Sequence, residues 1–180
     1  MRFFFLIFLF PFLSGCSLPG TQTEQTGNTI LYDGASFSLS VPKTWTEVKS
    51  TNLPTPKKWT IELAYIAPDT KYGFANNLVI LGNTLENPMT SKKYSELNQL
   101  QTSRNYLEYT KIDDTDIIFS DDDNSRIYTF EARYNQSAPR MKFIQTSHVC
   151  GKKVYLIHLS LSLDKDPSIY VPLLKTFGCK

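Results

Sequence analysis

Phe37, Leu39 and Val41 alternate with Ser36, Ser38 and Ser40 up to Pro42, the two-residue period of a half-buried strand that a proline closes. K-T-W-T-E-V (43–48) follows, and residues 60–67 (T-I-E-L-A-Y-I-A) and 77–81 (N-L-V-I-L) read as further strands, each bounded by Pro, Gly or Asn. The period changes over 91–107. There Tyr94, Leu97, Leu100 and Leu107 fall on one helical face, and Thr90 or Ser91 can cap the first turn. Residues 116–120, 126–134 and 141–149 return to strand, and 154–163 completes a hairpin around 151–153. Near the end, Asp166-Pro167 starts a short helix or turn whose apolar stripe is Tyr170, Leu173, Leu174 and Phe177, and which Gly178 can stop. Pro172 prevents an unbroken helix from Pro167. The order is strands, helix, strands, helix, with hairpin links between the later strands. It predicts an α+β fold, a mainly antiparallel sheet flanked by helices.

Ahead of this pattern, Met1 and Arg2 precede an apolar run at 3–13 (F-F-F-L-I-F-L-F-P-F-L). The run is shorter than the about 20 residues a membrane helix needs, and it has the length of a secretory signal. It ends in Leu13-Ser14-Gly15-Cys16, which resembles the lipobox of bacterial lipoproteins. That resemblance implies diacylglycerol transfer to the Cys16 thiol, cleavage between Gly15 and Cys16, and a further acyl chain on the new amino group. The residue types suit this chemistry, because a thiolate is a strong nucleophile and the small residues before it let an extended chain enter a protease site. Two or three acyl chains, at about 0.8 kcal/mol per buried methylene, hold a protein at a membrane permanently. Residues 1–15 are therefore expected to be a cleaved signal peptide, and 16–29 a lipidated cysteine with a polar, Gly- and Pro-containing flexible tether. Residues 30–180 have the length of one domain. The expected place is the bacterial cell envelope, facing the periplasm or the exterior. Ser17, where Asp would favour retention at an inner membrane, leans toward the outer membrane or cell surface.

Charge and composition narrow the partners. The net charge of +2 falls to +1 once Arg2 is removed, and near-neutrality argues against nucleic acid as a partner, which calls for a concentrated basic face. The many Tyr and Phe residues favour strands. With Cys16 acylated, Cys150 and Cys179 remain as an even pair in an exported chain, and a disulfide between them would tie a hairpin turn to the C-terminal tail. Apart from the lipid on Cys16, no cofactor is expected.

No nucleophile-elbow, zincin, P-loop or dinucleotide motif is present. His148 and His158, the two histidines, lie on adjacent strands of the 141–163 hairpin. If its loop is 151–153, they are diagonal neighbours on one face, a possible zinc pair. A slip of one residue puts them on opposite faces. Six of the 17 acidic residues gather at Asp113, Asp114, Asp116, Asp121, Asp122 and Asp123. Such carboxylates can bind Ca²⁺ or face a basic partner. Asp121–Asp123 with Asn124 and Ser125 also read as a turn between strands, and Asp113-Asp114 as a loop; the spacing is not that of an EF-hand.

The opening Y-D-G-A-S-F-S-L-S-V-P-K-T-W (32–45) resembles the F-x-x-x-x-P-x-x-W start of PsbP-like domains. The close, Y-V-P-L-L-K-T-F (170–177), resembles their terminal Y-x-P-x-L-x-x-S-F helix, with Thr176 where Ser is common. The element order agrees across nearly all of 30–180. The resemblance implies a catalytically silent α/β/α sandwich. Members are extrinsic subunits or assembly factors of the oxygen-evolving photosystem, a nuclear import factor that binds a small GTPase, and bacterial envelope lipoproteins, which fit this signal and tether best. Trp45 is then a core anchor after the Pro42 turn. The expected function is that of a lipid-anchored, non-enzymatic accessory or assembly factor acting on a protein partner, with residues 113–123 as a candidate docking edge. The alternative is an envelope carrier of a ligand or metal, with a pocket between sheet and helices. A hydrolase lacks an assembled nucleophile and base.

Overall fold

The alternation at Phe37–Val41 resolves into a strand that belongs to a small sheet rather than to the main one. In the computed structural model, residues 28–54, 57–71 and 73–180 are described; the expected signal, Cys16 and nearly all of the tether lie outside the described residues. The order is β1 (Thr29–Asp33), β2 (Phe37–Pro42), β3 (Thr46–Glu47), β4 (Thr60–Lys71), β5 (Phe74–Thr84), α1 (Ser91–Asn105), β6 (Leu107–Ile118), β7 (Asn124–Arg133), β8 (Met141–Cys150), β9 (Lys153–Leu161), α2 (Val171–Lys175) and β10 (Gly178–Cys179). A seven-stranded sheet runs β3-β4-β5-β9-β8-β7-β6, and a three-stranded sheet runs β1-β2-β10. Every pairing is antiparallel. This is the α+β fold the pattern predicts. No helix among the described residues is long and apolar enough to cross a membrane.

The main core lies between the two sheets. Tyr155, Ile157, Leu159 and Leu161 of β9 point to the same side as Ile80 and Ile144. They meet Phe37, Leu39 and Val41 of β2 together with Leu174 of α2 and Phe177. Each such side chain, fully buried, contributes roughly 1.5–3 kcal/mol. Trp45 joins this core and stands 6.1 Å from the Tyr170 ring, as expected of an anchor. A turn at Pro167–Ile169 precedes α2, so the helix starts again at Val171-Pro172, where proline needs no N–H partner.

Helix α1 covers the opposite face of the sheet, over β7 and β8. Thr90 caps it, its hydroxyl accepting from the Lys93 N–H. Its inward face is not the expected one. The buried residues are Ser91, Ser95, Gln99 and Thr102, while Leu97 and Leu100 are 44% and 58% exposed. The reason is the surface beneath. Ser95 Oγ donates to the Arg126 carbonyl (2.6 Å) and Thr102 Oγ1 to Gln145 Oε1 (3.1 Å), so the helix docks on polar groups of the sheet. The Arg126 carbonyl also accepts from Thr146 Oγ1, but an apolar stripe would take from Gln145 Oε1 its Thr102 partner, at about 1–3 kcal/mol.

Two further expectations change. The helix ends at Asn105, so Leu107 opens β6, and β6 starts well before residue 116. Asp113 and Asp114, expected in a loop, are strand residues on the sheet's edge. Charges along an edge strand are tolerated because they face water, and they discourage pairing with another chain. Strands β1 and β10 had no clear signal. β1 pairs with β2 from Thr29↔Pro42 to Asp33↔Ser38, and β10 adds only Gly178↔Ser38 and Cys179↔Phe37.

Candidate functional site

The β8–β9 turn sets the geometry of the site. Cys150 pairs with Lys153 and Val149 with Val154, so the loop is Gly151-Lys152, one residue shorter than 151–153. Gly151 has φ +62°, a conformation glycine adopts without strain. In this register His148 pairs with Tyr155 and His158 with Gln145, which places the two imidazoles on opposite faces. The zinc pair does not form.

His158 faces the α1 side, 5.2 Å from the Phe143 ring and 6.3 Å from Tyr106. Burial pushes its pKa from 6.5 down to about 4. Between those values the unfolded chain binds a proton that the folded chain does not, so this ring leaves stability intact above pH 6.5 and erodes it as pH falls toward 4. His158→Gln is expected to flatten the pH dependence of the urea midpoint across that window; an unchanged slope would show that other groups produce it.

His148 lies on the core face and is 1% exposed. Its ring stands 4.5 Å from Phe119 and 5.1 Å from Phe177. Nε2 is 2.9 Å from Asp121 Oδ1, and Asp121 Oδ2 accepts from the Cys179 N–H (2.8 Å). Burial raises the Asp121 pKa, but the Cys179 N–H and the His148 ring outweigh it and hold the carboxyl below its usual range. A carboxylate only accepts, so Nε2 carries a proton. Nδ1 therefore holds the lone pair in the neutral ring. It faces Cys179 Sγ at 3.4 Å, Cys150 Sγ at 3.7 Å and Asp123 Oδ2 at 3.8 Å.

Those two sulfurs form the expected disulfide, with Cα atoms 5.7 Å apart. It joins the β8–β9 turn to β10. The β6–β7 turn is fixed to the same corner. Asp123 accepts from Ser91 Oγ, which in turn accepts from the Val149 N–H (2.7 Å). Asp122 occupies the left-handed region at φ +64°, which aspartate tolerates better than most residues. Gly178 allows the close approach of β10, since a Cβ there would lie 2.6 Å from Ser120 Oγ, a group engaged with the Phe177 carbonyl.

The six carboxylates thus divide among three places. Asp114 and Asp116 pair with Arg126 at 2.9 and 3.3 Å, and also with Lys111 and Lys92 respectively. Asp121 and Asp123 turn toward His148 and Ser91. Asp113 and Asp122 are exposed. Among the described residues, the group of metal-ligating side chains whose donor atoms converge is His148, Cys150 and Cys179, all within 4.8 Å of one another. Sequence reasoning named these three but did not bring them together, and it took Ser91 only as a cap.

The sequence matches no protein-family model and no curated protein. Solved structures do match it. The solution structure of cyanobacterial PsbP from Synechocystis sp. PCC 6803 aligns with a TM-score of 0.56 at 10% identity, covering 91% of this chain and 99% of that one. The fold is PsbP-like. A Pseudomonas aeruginosa protein of unknown function aligns at a TM-score of 0.50 and 14% identity, over 81% of this chain and 90% of its own. A Bacteroides thetaiotaomicron protein aligns at 0.50 and 11% identity over 87% of this chain, which spans about half (49%) of that protein's length. At such identities the likeness is one of fold. The two sheets of this chain meet through an aromatic core at Phe37, Tyr155 and Phe177.

Proposed function

We propose that this protein is a lipid-anchored bacterial envelope lipoprotein whose PsbP-like domain is non-enzymatic and acts through protein contacts, as an accessory or assembly factor. The observation that supports it most is the fold likeness to cyanobacterial PsbP over nearly the whole of both chains. The L-S-G-C sequence supplies the anchor in this reading. Acyl chains on Cys16 concentrate the domain at the membrane, and the tether at 16–29 gives it reach, so a weak contact becomes effective. The candidate docking edge is the outward part of 113–123. Asp113 and Asp122 are its test positions, because reversing Asp121 or Asp123 would also break the contacts to His148 and Ser91.

The test is crosslinking in intact cells, detergent extraction and pull-down, comparing the native protein with Cys16→Ala and with Asp113→Lys/Asp122→Lys. A defined membrane complex is expected with the native protein, lost with Cys16→Ala and weakened several-fold by the charge reversal. Equal recovery with Cys16→Ala would reject the anchor, and equal recovery with the reversed edge would reject that surface. The carrier reading draws on a different observation, the convergence of His148, Cys150 and Cys179. The space between α1 and the sheet is occupied by hydrogen-bonded side chains such as Ser95, Thr102 and Gln145, which gives a small-molecule pocket no support there.

A further inference from the structure

We propose that reduction of the Cys150–Cys179 disulfide by a dithiol converts this corner into a zinc site with three protein ligands, Cys150 Sγ, Cys179 Sγ and His148 Nδ1, and a fourth position for water. The inference is independent of membrane anchoring and of any protein partner.

The first argument is geometric. Tetrahedral zinc, with Zn–S about 2.3 Å and Zn–N about 2.0–2.1 Å, places sulfur and nitrogen ligands about 3.5 Å apart. His148 Nδ1 already stands 3.4 Å from one sulfur and 3.7 Å from the other. Only the two sulfurs must separate, to about 3.8 Å in a tetrahedral site, through side-chain rotation at Cys150 and Cys179.

The second argument concerns protonation. Asp121 holds the proton on Nε2 and leaves Nδ1 as the free donor, which is the way metal-bound histidines are usually oriented, with the far N–H on a carboxylate. The Cys179 N–H fixes Asp121 from behind. Phe119 and Phe177 pack on the ring at 4.5 and 5.1 Å and restrict water.

The third argument is charge. Asp123 Oδ2 lies 3.8 Å from Nδ1 and Asp121 Oδ1 2.9 Å from Nε2, so two carboxylates border the corner and favour a bound cation there.

The steps balance. The reductant dithiol gives two electrons and two protons, becomes a disulfide itself, and leaves Cys150 and Cys179 as thiols. Zn²⁺ then replaces the two thiol protons, which pass to solvent, and both Zn–S bonds and the Zn–N bond form.

The test uses the full chain carrying Cys16→Ser, in detergent, so that Cys150 and Cys179 are its thiols. After reduction with a phosphine under argon, Co²⁺ is titrated as the spectroscopic stand-in, and Zn²⁺ is then added. The expected result is one equivalent of cobalt with thiolate charge-transfer bands and tetrahedral d–d intensity, displaced by zinc and absent from the oxidised protein. His148→Gln is expected to lose the tetrahedral spectrum, and Asp121→Asn to lose about 10–100-fold in zinc affinity. The proposal is overturned if the reduced protein keeps its native circular dichroism yet shows no thiolate–cobalt bands. It is equally overturned if reduction unfolds the chain and zinc does not restore it, or if His148→Gln gives the same spectrum. Should His148→Gln fail to fold when oxidised, Asp121→Asn decides, and unchanged zinc affinity there rejects the site.

Discussion

Phe177→Ala is expected to destabilise the domain by about 3–5 kcal/mol, the usual cost of truncating a fully buried phenylalanine. Phe177 is 0% exposed. Its ring stacks on Phe37 of the small sheet at 5.0 Å and 18°, and lies 5.6 Å from Tyr155, 6.1 Å from Phe119 and 5.1 Å from His148. Truncation therefore opens a cavity bordered by β2, β9 and the end of β6, and rigid aromatic walls close such a space poorly. The backbone around it is also committed, because the Phe177 carbonyl accepts from the Ser120 N–H (3.1 Å) and from Ser120 Oγ (2.8 Å). Urea unfolding of the full chain in detergent, native against variant, measures the effect. A loss below about 1 kcal/mol would mean that the two sheets are held together elsewhere, since complete burial normally costs several times that.

Replacing both half-cystines, Cys150→Ala with Cys179→Ala, is the other large effect. For a sequence separation of 29 residues the chain-entropy account gives about 3.5 kcal/mol. In a domain of this size that corresponds to a fall in melting temperature of about 10 °C. The bond closes the loop holding β9, α2 and β10, and it ties the short β10 to the β8–β9 turn. β10 has two paired residues, and beyond them the Thr176 hydroxyl accepts from the Ser40 N–H (2.8 Å) and the Lys180 N–H donates to the Ser36 carbonyl (3.1 Å). Scanning calorimetry of oxidised, reduced and double-alanine proteins checks this. Reduced and double-alanine forms are expected to melt together in the absence of metal, and an unchanged melting temperature would show that native contacts already restrict the loop. A domain of ordinary stability, about 5–15 kcal/mol, survives a loss of this size, so the reduced protein required for zinc binding is expected to stay folded.

The two effects share a corner of the molecule, since Phe177 and Cys179 both touch His148. Their sum is therefore not expected to be additive. A triple variant should lose less than the two separate costs combined, because either change alone already loosens the contact of β10 with the sheet.

Local rules were enough for much of this chain. Alternation at Phe37–Val41 named β2, Thr90 named the start of α1, Pro172 forced a restart before α2, and setting Cys16 aside for the expected lipid left Cys150 and Cys179 to pair. These features depend on residues close in sequence, or on counting, and the period of the hydrophobic pattern reports them directly. The opening and closing motifs also pointed to the PsbP-like fold.

What tertiary structure decided was which surface each period faces. Helix α1 has helical spacing in both its leucines and its serines, and only the polar groups on β7 and β8 select the serine face. The hairpin at Gly151 was compatible with two registers, and a difference of one residue sent His148 into the core against Asp121 and the disulfide, and His158 to the other side. Asp121 and Asp123 read as turn formers because that role is local; their contacts with His148 and Ser91 span 27 and 32 residues and arise only when three chain segments meet. Periodicity fixes how often a side chain returns to a face, whereas the identity of that face is set by partners distant in sequence, whose polar groups must be satisfied on burial.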